Sequence, residues 1–540
     1  MIRNPILPGF NPDPSICRVG QSFYIATSTF EWYPGVQIHR STDLANWALC
    51  ARPLDRAALL DMRGNPDSGG IWAPCLSFAD GQFWLVYTDV KRNTGNFKDA
   101  HNYITRAPSI EGPWSDPVYV NSSGFDPSLF HDTDGRKWFL NMQWNHRGGS
   151  VGGHPVHPAF DGILCQEWHP EHGLTGPVTN IFPGSAHGLT EAPHLFRRDG
   201  WYYLTVAEGG TGYGHAVTMA RSRELLGPYE LHPDTHLFTA RDAPGSALQR
   251  VGHGQIVETE EGETWHTFLC SRPIDADGTR SHLSGRGRGF SPLGRETGIE
   301  RCVWRDGWLW PETGDPVPRI QIPAPAEPPA PQPVIRRFDS TILPPEFQWL
   351  RTPHPDRIFT LTGEALQLIG RESIGSWFEQ ALVARRQEHL AYRAETTLQD
   401  FTPDSYQQAA GLVTYYNRHK FHYLAVTHEP GLGRALTILS CLGDAVDARL
   451  SFAIDPMPIA DGPVDLAVRT DHATQRFLWR QGGDWQEIGP PLDATLLSDE
   501  GGLGEHGSFT GNFVGMAAHD VTGQGRRATF TRFAYLPGGD

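Results

Sequence analysis

The chain has 540 residues, 39% hydrophobic and 11% aromatic with 17 Trp, 59 Gly and 44 Pro, and a formal charge of −16. Its length points to two or more domains, its Gly, Pro and aromatic content favours short strands and tight turns over long helices, and its acidic balance excludes a nucleic-acid partner, which needs a basic surface. Seven scattered cysteines (Cys17, Cys50, Cys75, Cys165, Cys270, Cys302 and Cys441) without a C-x-x-C pair exclude a disulfide framework or zinc site and read as reduced thiols.

The opening "MIRNPILPGF" lacks the apolar stretch of a signal peptide, and no later run reaches the roughly 18 apolar residues of a membrane span, so a cytoplasmic protein is expected. A neutral ligand suits the charge. Flat indole faces pack on sugar C–H faces, although a Trp also serves as core filler.

In chain order, one pattern recurs: a glycine turn followed by an aromatic-rich strand, at "GQSFYIATS" (Gly20), "GQFWLVYTD" (Gly81), "GRKWFLNMQ" (Gly135), "GWYYLTVAE" (Gly200) and "GETWHTFLC" (Gly262). The intervals of 61, 54, 65 and 62 residues each accommodate a four-stranded antiparallel sheet. Five such sheets around an axis predict a five-bladed β-propeller over residues 1–320.

Ahead of each glycine lies the expected innermost strand of its blade. Nine residues back stand Trp72 in "WAPCLSFADG", Asp126 in "DPSLFHDTDG", Glu191 in "EAPHLFRRDG" and His253 in "HGQIVETEEG"; in the first copy the offset is seven, giving Asp13 in "DPSICRVG". Innermost strands line the central funnel of a propeller, so three carboxylates, an imidazole and an indole should meet there.

"QIPAPAEPPAPQP", with six prolines in thirteen positions, reads as a semi-rigid spacer over 321–334. Beyond it, "ALQLIG", "ALVARRQ", "AYRAETTL", "AGLVTYYN", "FHYLAV" and "RFLWRQ" carry strand periodicity without a blade repeat. Residues 335–540 are therefore expected to form an antiparallel jelly-roll β-sandwich, making the chain all-β.

Two carboxylates facing each other across a pocket are the equipment of a glycoside hydrolase, one protonating the departing oxygen and the other activating water or attacking carbon. A third acid raises its neighbour's pKa by like-charge repulsion. Taken singly, Asp13 and Asp126 before proline read as turn residues, and Glu191 as a loop acid; their shared place in the repeat favours catalysis. His253 reads as a core histidine, a substrate contact, or a ligand for a cation in the axial channel. Trp72 is blade packing or a sugar platform, and Arg295 a surface ion pair or a guanidinium beside the acids.

Other chemistries are poorly served. The histidines of "GGHPVHP" and "EWHPEHG" lack zinc-site spacing and read as loop residues, "EGGTGYGH" matches no phosphate-binding loop, and no G-x-S-x-G elbow occurs.

At these residues the chain resembles glycoside hydrolase family 43, in its two-domain β-xylosidase branch. The motifs "NPDPS", "GFDPSLF", "GLTEAPHLF", "AEGGTGYGHAVTMARS", "GHGQ", "LGRET", "FQWLRTP", "QALVARRQ" and "FTGNFVGM" carry the resemblance across nearly the whole chain. It implies Asp13 as general base, Glu191 as general acid and Asp126 as the residue that orients the acid and modulates its pKa, with inversion at the anomeric centre. It further implies a sugar pocket of Phe30, Trp72, Thr211, His253 and Arg295, closed from the second domain by Phe509, with Phe513 as rival. Gly212 and Gly214 replace bulkier residues of that branch.

The implied activity is exo-acting release of xylose from non-reducing ends of β-1,4-xylo-oligosaccharides, with α-L-arabinofuranosidase activity as an alternative. The implied partners are a small oligosaccharide and further copies of the chain, as a dimer or tetramer. No cofactor is required by this chemistry, with a divalent cation such as Ca2+ near His253 as an option. A non-catalytic carbohydrate-binding protein and a propeller scaffold are the competing classes.

Overall fold

The computed structural model describes residues 1–538 apart from 149–154, 156, 279–287, 329, 444–447 and 503–507. It is built almost wholly of strands, with two single-turn 3-10 helices at Pro355–Arg357 and Ala494–Leu496. No helix among the described residues is long and apolar enough to cross a membrane.

Blade 1 comprises Ser15–Val19, Ser22–Thr27, Gln37–Ser41 and Ala48–Ala51, and blades 2 to 4 run on through Gly70–Asn121, Ser128–Phe182 and Glu191–Thr239. Blade 5 spans Gln249–Pro311. Each of the five repeated glycines sits at the hairpin between the first two strands of its blade, with φ of 58, 71, 87, 75 and 85° in chain order. That left-handed turn is why glycine recurs there: most residues meet a Cβ clash at such φ. Second strands such as Ser22–Thr27 and Thr264–Ser271 are buried throughout, because neighbouring blades cover both faces.

Blade 5 departs from the expected four strands. Its innermost strand is split into Gln249–Gly252 and Ile256–Glu258, with His253 in the break. The ring closes when Ile2–Arg3 pairs antiparallel with Gln321–Ile322 and Leu7 bridges Thr297. The first two residues of the expected spacer thus act as a propeller strand.

The second domain is a sandwich of two antiparallel sheets. One carries Leu366–Ile369, Ala391–Asp400, Val464–Asp471, Thr474–Arg480, Gln486–Asp493 and Arg527–Pro537. The other carries Ala381–Arg386, Gln408–Asn417, Lys420–Glu429, Gly433–Leu442 and Phe513–Asp520, and is extended by Phe347–Leu350.

That second sheet continues into the propeller. Trp32–Tyr33, between two strands of blade 1, pairs with Trp349 and Leu350 as its last strand. The Trp32 indole stacks on Phe513 with centroids 3.6 Å apart, and Phe10 and Phe30 join the same buried cluster. Phe513 is therefore core at the domain junction.

Buried charges cross the junction as well. The Arg351 guanidinium donates to Asp67 at 2.7 Å, and Arg386 donates to the Phe10 carbonyl at 2.6 Å and Gln37 at 3.0 Å. Such groups are costly unless each meets its partner, so they fix the sandwich in one orientation over the funnel.

Candidate active site

The site lies where innermost strands end. In "DPS", "WAP", "DPS" and "EAP" a proline follows the key residue by one or two positions, and proline, lacking an N–H, breaks the ladder there. Register irregularities follow Trp72 and Glu191. Asp13, Asp126 and His253 adopt φ of 57, 53 and 40°, and Phe30 and Arg250 adopt 51 and 54°. Non-glycine residues rarely hold such angles, and where they cluster the surrounding structure is enforcing side-chain direction.

One cavity of about 600 Å3 is lined by Asp13, Asp126, Glu191, Phe30, Trp72, Thr211, His253, Arg295 and Phe509, whereas Phe513, the rival to Phe509, does not line it. All three acids are buried. Asp13 accepts hydrogen bonds from the Ser28 hydroxyl at 2.6 Å and from Arg295 at 2.8 Å. Arg295, only 2% exposed, also donates to the Phe509 carbonyl at 3.0 Å and lies over the Phe30 ring. One guanidinium thus joins an acid of the propeller to the sandwich.

Burial and the charge of Asp13 push the Glu191 carboxyl up to about 8, against the pull of Arg295 and Lys98. Burial, then Glu191 and Asp13, hold Asp126 well above the carboxylate range, with Arg295 and the Ala192 N–H drawing it back. The bond from Ala192, the residue after Glu191, ties Asp126 to the backbone that carries Glu191. The site therefore holds a proton on Glu191 in the same cavity as the hydrogen-bonded Asp13.

His253 places Nδ1 3.7 Å from Asp13. Burial, with Arg295 and His266 beside it, lowers its pKa to about 3, so the ring is neutral. Around it, His194 Nδ1 and His266 Nε2 are buried without a protein partner. These are imidazole nitrogens, whereas a hard dication such as Ca2+ takes six to eight oxygens. Among the described residues, three metal-capable side chains come within reach of one point at His169, Glu171 and His172, on an exposed turn of blade 3, and not at His253. Among the described residues, no set of three metal-capable side chains converges at His253 to cage such an ion. Of the "GGHPVHP" pair, His154 lies outside the described residues.

Several lining residues escape sequence reasoning. Phe125, Trp144 and Phe160 extend the aromatic wall begun by Phe30 and Trp72. Lys98 sits over the Trp144 ring and donates to the Asn93 carbonyl at 2.7 Å. At the rim, Arg250 pairs with Asp499 at 2.6 Å and with Glu500, which also accepts from Tyr213 at 3.0 Å. Phe125 could have been found as the neighbour of Asp126 in "GFDPS"; Lys98, Arg250 and Asp499 follow no repeat.

Behind the pocket, Glu208 is fully buried and accepts from the Ser185 N–H at 2.8 Å, the Ser185 hydroxyl, and the Thr190 and Thr218 hydroxyls at 2.7 Å each. It clamps both ends of the segment leading into Glu191. In the adjoining loop, a Cβ at Gly209 would lie 2.2 Å from the Gly214 carbonyl, whereas one at Gly212 would meet nothing. Gly209 is thus required by packing and Gly212 simply leaves the pocket wider.

The family model described as glycosyl hydrolases family 43 matches residues 2–309, and a model described as beta xylosidase C-terminal concanavalin A-like domain matches 336–536. The chain belongs to glycosyl hydrolases family 43. A relative named xylosidase/arabinosidase 43B from Humicola insolens is 52% identical over 99% of this chain and 98% of its own, and a beta-xylosidase from Bacillus subtilis is 45% identical over 99% of both. The crystal structure of xylan beta-1,4-xylosidase from Bacillus halodurans C-125 superposes with a TM-score of 0.92 at 46% identity, covering 99% of this chain and 100% of that one. This family-43 protein is accordingly a glycoside hydrolase, with a propeller followed by a concanavalin A-like sandwich.

Proposed function

We propose that the enzyme removes single xylose units from the non-reducing ends of β-1,4-xylo-oligosaccharides, with inversion. The observation that carries this reading is the pairing of Glu191, held protonated, with Asp13 in one cavity of about 600 Å3, a volume suited to a sugar or two. Glu191 donates its proton to the glycosidic oxygen as the C–O bond breaks, and that oxygen leaves as a hydroxyl. Asp13 takes a proton from water as the water oxygen bonds to the anomeric carbon on the opposite face. Asp126 orients the acid through Ala192. The aromatic wall and Arg295 hold the terminal ring, and Phe509 covers it.

The name of the Humicola relative supports α-L-arabinofuranosidase as a second activity. We place the enzyme in a reducing cytoplasm, a reading that its cysteines support, since no disulfide joins them among the described residues. Exposed Leu450 and Phe452 on a sandwich edge strand support self-association as a dimer or tetramer, for which light scattering gives the mass.

Chromogenic β-xyloside and α-L-arabinofuranoside assays, run side by side, test the substrate. Faster xyloside turnover is expected, and no turnover of either overturns the reading. Proton NMR of fresh product tests the stereochemistry: α-xylose should appear first, and β-xylose first would overturn inversion.

A further inference from the structure

A second cavity, of about 340 Å3, opens between the outer strands of blades 4 and 5, Glu230–Thr239 and Trp308–Pro311. Its walls include His232, Asp234, His236, Arg241, Asp242 and Trp310. The two histidines belong to the frame. His232 donates to the Leu309 carbonyl at 3.0 Å through Nε2 and accepts the Asp234 N–H at Nδ1, while His236 engages Thr218 at 2.9 Å and Arg241 at 3.3 Å.

What remains for a ligand is a short set of groups. Among the described residues none makes an ion pair or hydrogen bond with the Asp234 carboxylate, Asp242 is held by Arg241 alone at 3.0 Å, and the partly exposed Trp310 indole, packed on by His232 and Arg305, adds an apolar wall. The guanidinium is held in place by imidazoles: it donates to His187 Nδ1 at 3.2 Å and to His236 Nε2 at 3.3 Å. A group fixed in advance loses little entropy on binding.

We infer that this cavity is a second binding site, for a neutral pyranose ring. Two carboxylates against one guanidinium disfavour an anion, while planar acceptors and donors beside an indole match the paired hydroxyls and apolar face of a sugar. The choice of xylose as the ring rests on the function proposed above. The site also touches the catalytic one: His187 donates through Nε2 to the Gly214 carbonyl at 2.7 Å, at the end of the loop whose Gly210, Thr211 and Gly212 line the active pocket. An exo-acting pocket holds only the end of a chain, and a flank site would bind a further oligosaccharide beside it.

The test uses the full-length Glu191→Gln protein carrying 5-fluorotryptophan, with the Trp310 and Trp72 resonances assigned by Trp→Phe replacement, titrated with xylobiose. A saturable shift at Trp310 that weakens about tenfold or more when Asp234, an exposed residue, becomes Ala supports the second site. A Trp310 signal that stays still, or moves equally in the Asp234→Ala variant, overturns it. Trp72 reports the catalytic pocket separately. Movement at Trp72 alone removes the flank site and leaves the proposed function standing; movement at Trp310 alone does the reverse.

Discussion

On the propeller side of the pocket, Asp13, Asp126 and Glu191 come from equivalent positions of three blades, at the ends of strands broken by proline. On the sandwich side, Asp499 and Phe509 come from a single unrepeated stretch and are tied down by Arg250 and Arg295 of the propeller. The first side supplies the acids, with burial raising the pKa of Glu191 and Asp126, and the second supplies enclosure. Repetition is thus enough to aim chemical groups at one axis, but excluding water from them takes a partner that the repeat does not encode.

Substitutions on the two sides should separate these contributions. The largest effect is expected for Asp13→Asn, which removes the base and should lower kcat by roughly 10²–10⁴-fold whatever the leaving group. Steady-state rates on two xylosides check it.

Next comes Arg250→Ala at the rim. It leaves the half-buried Asp499 and Glu500 beside each other without their cation, a loss of about 3 kcal/mol, the lower end for breaking a buried pair. Thermal unfolding should show a clearly lower Tm, whereas an unchanged Tm would mean that the sandwich is held elsewhere.

The pH profile sharpens the propeller side. Because Glu191 must be protonated, kcat should fall as pH rises through about 8. Removing the Asp13 charge makes that proton easier to lose, so the alkaline limb of the residual rate in Asp13→Asn should move to lower pH. Removing Lys98, a cation that pulls the Glu191 pKa down, should move it up.

The smallest change is expected from Phe509→Ala. Trimming the cover should raise KM by roughly tenfold, the equivalent of about 1.4 kcal/mol of lost contact, with kcat much less affected. An equal fall in kcat would give Phe509 a part in the chemistry itself.

Much of this arrangement was legible in the sequence, for a physical reason. A left-handed turn admits glycine readily and a strand ending in proline cannot continue its ladder, so Gly20, Gly81, Gly135, Gly200 and Gly262, with the residues before them, mark every blade. Counting back from these turns was enough to bring Asp13, Asp126, Glu191, His253 and Trp72 together. Phe30, Thr211 and Phe509 came from family resemblance, since no periodicity points to them, and Arg295 was read from its own segment as an ion pair or a partner of the acids before the resemblance placed it in the pocket. Arg250 and Asp499 stayed hidden because they meet across 249 residues, and Lys98 and Glu208 because neither stands at the position counted back from a glycine turn. The exchange of Trp32–Tyr33 into the sandwich sheet was equally silent, because a two-residue strand leaves no alternation to read.

Glu191 as proton donor to the leaving group is the central claim, and leaving-group dependence tests it most directly. Glu191→Gln is to be assayed on xylobiose, whose departing hydroxyl needs a proton, and on a dinitrophenyl xyloside, whose departing phenolate does not. The expected result is a loss of roughly 10²–10⁴-fold on xylobiose, a far smaller loss on the dinitrophenyl substrate, and unaltered binding of xylobiose. Equal losses on both substrates, or none on either, would contradict it.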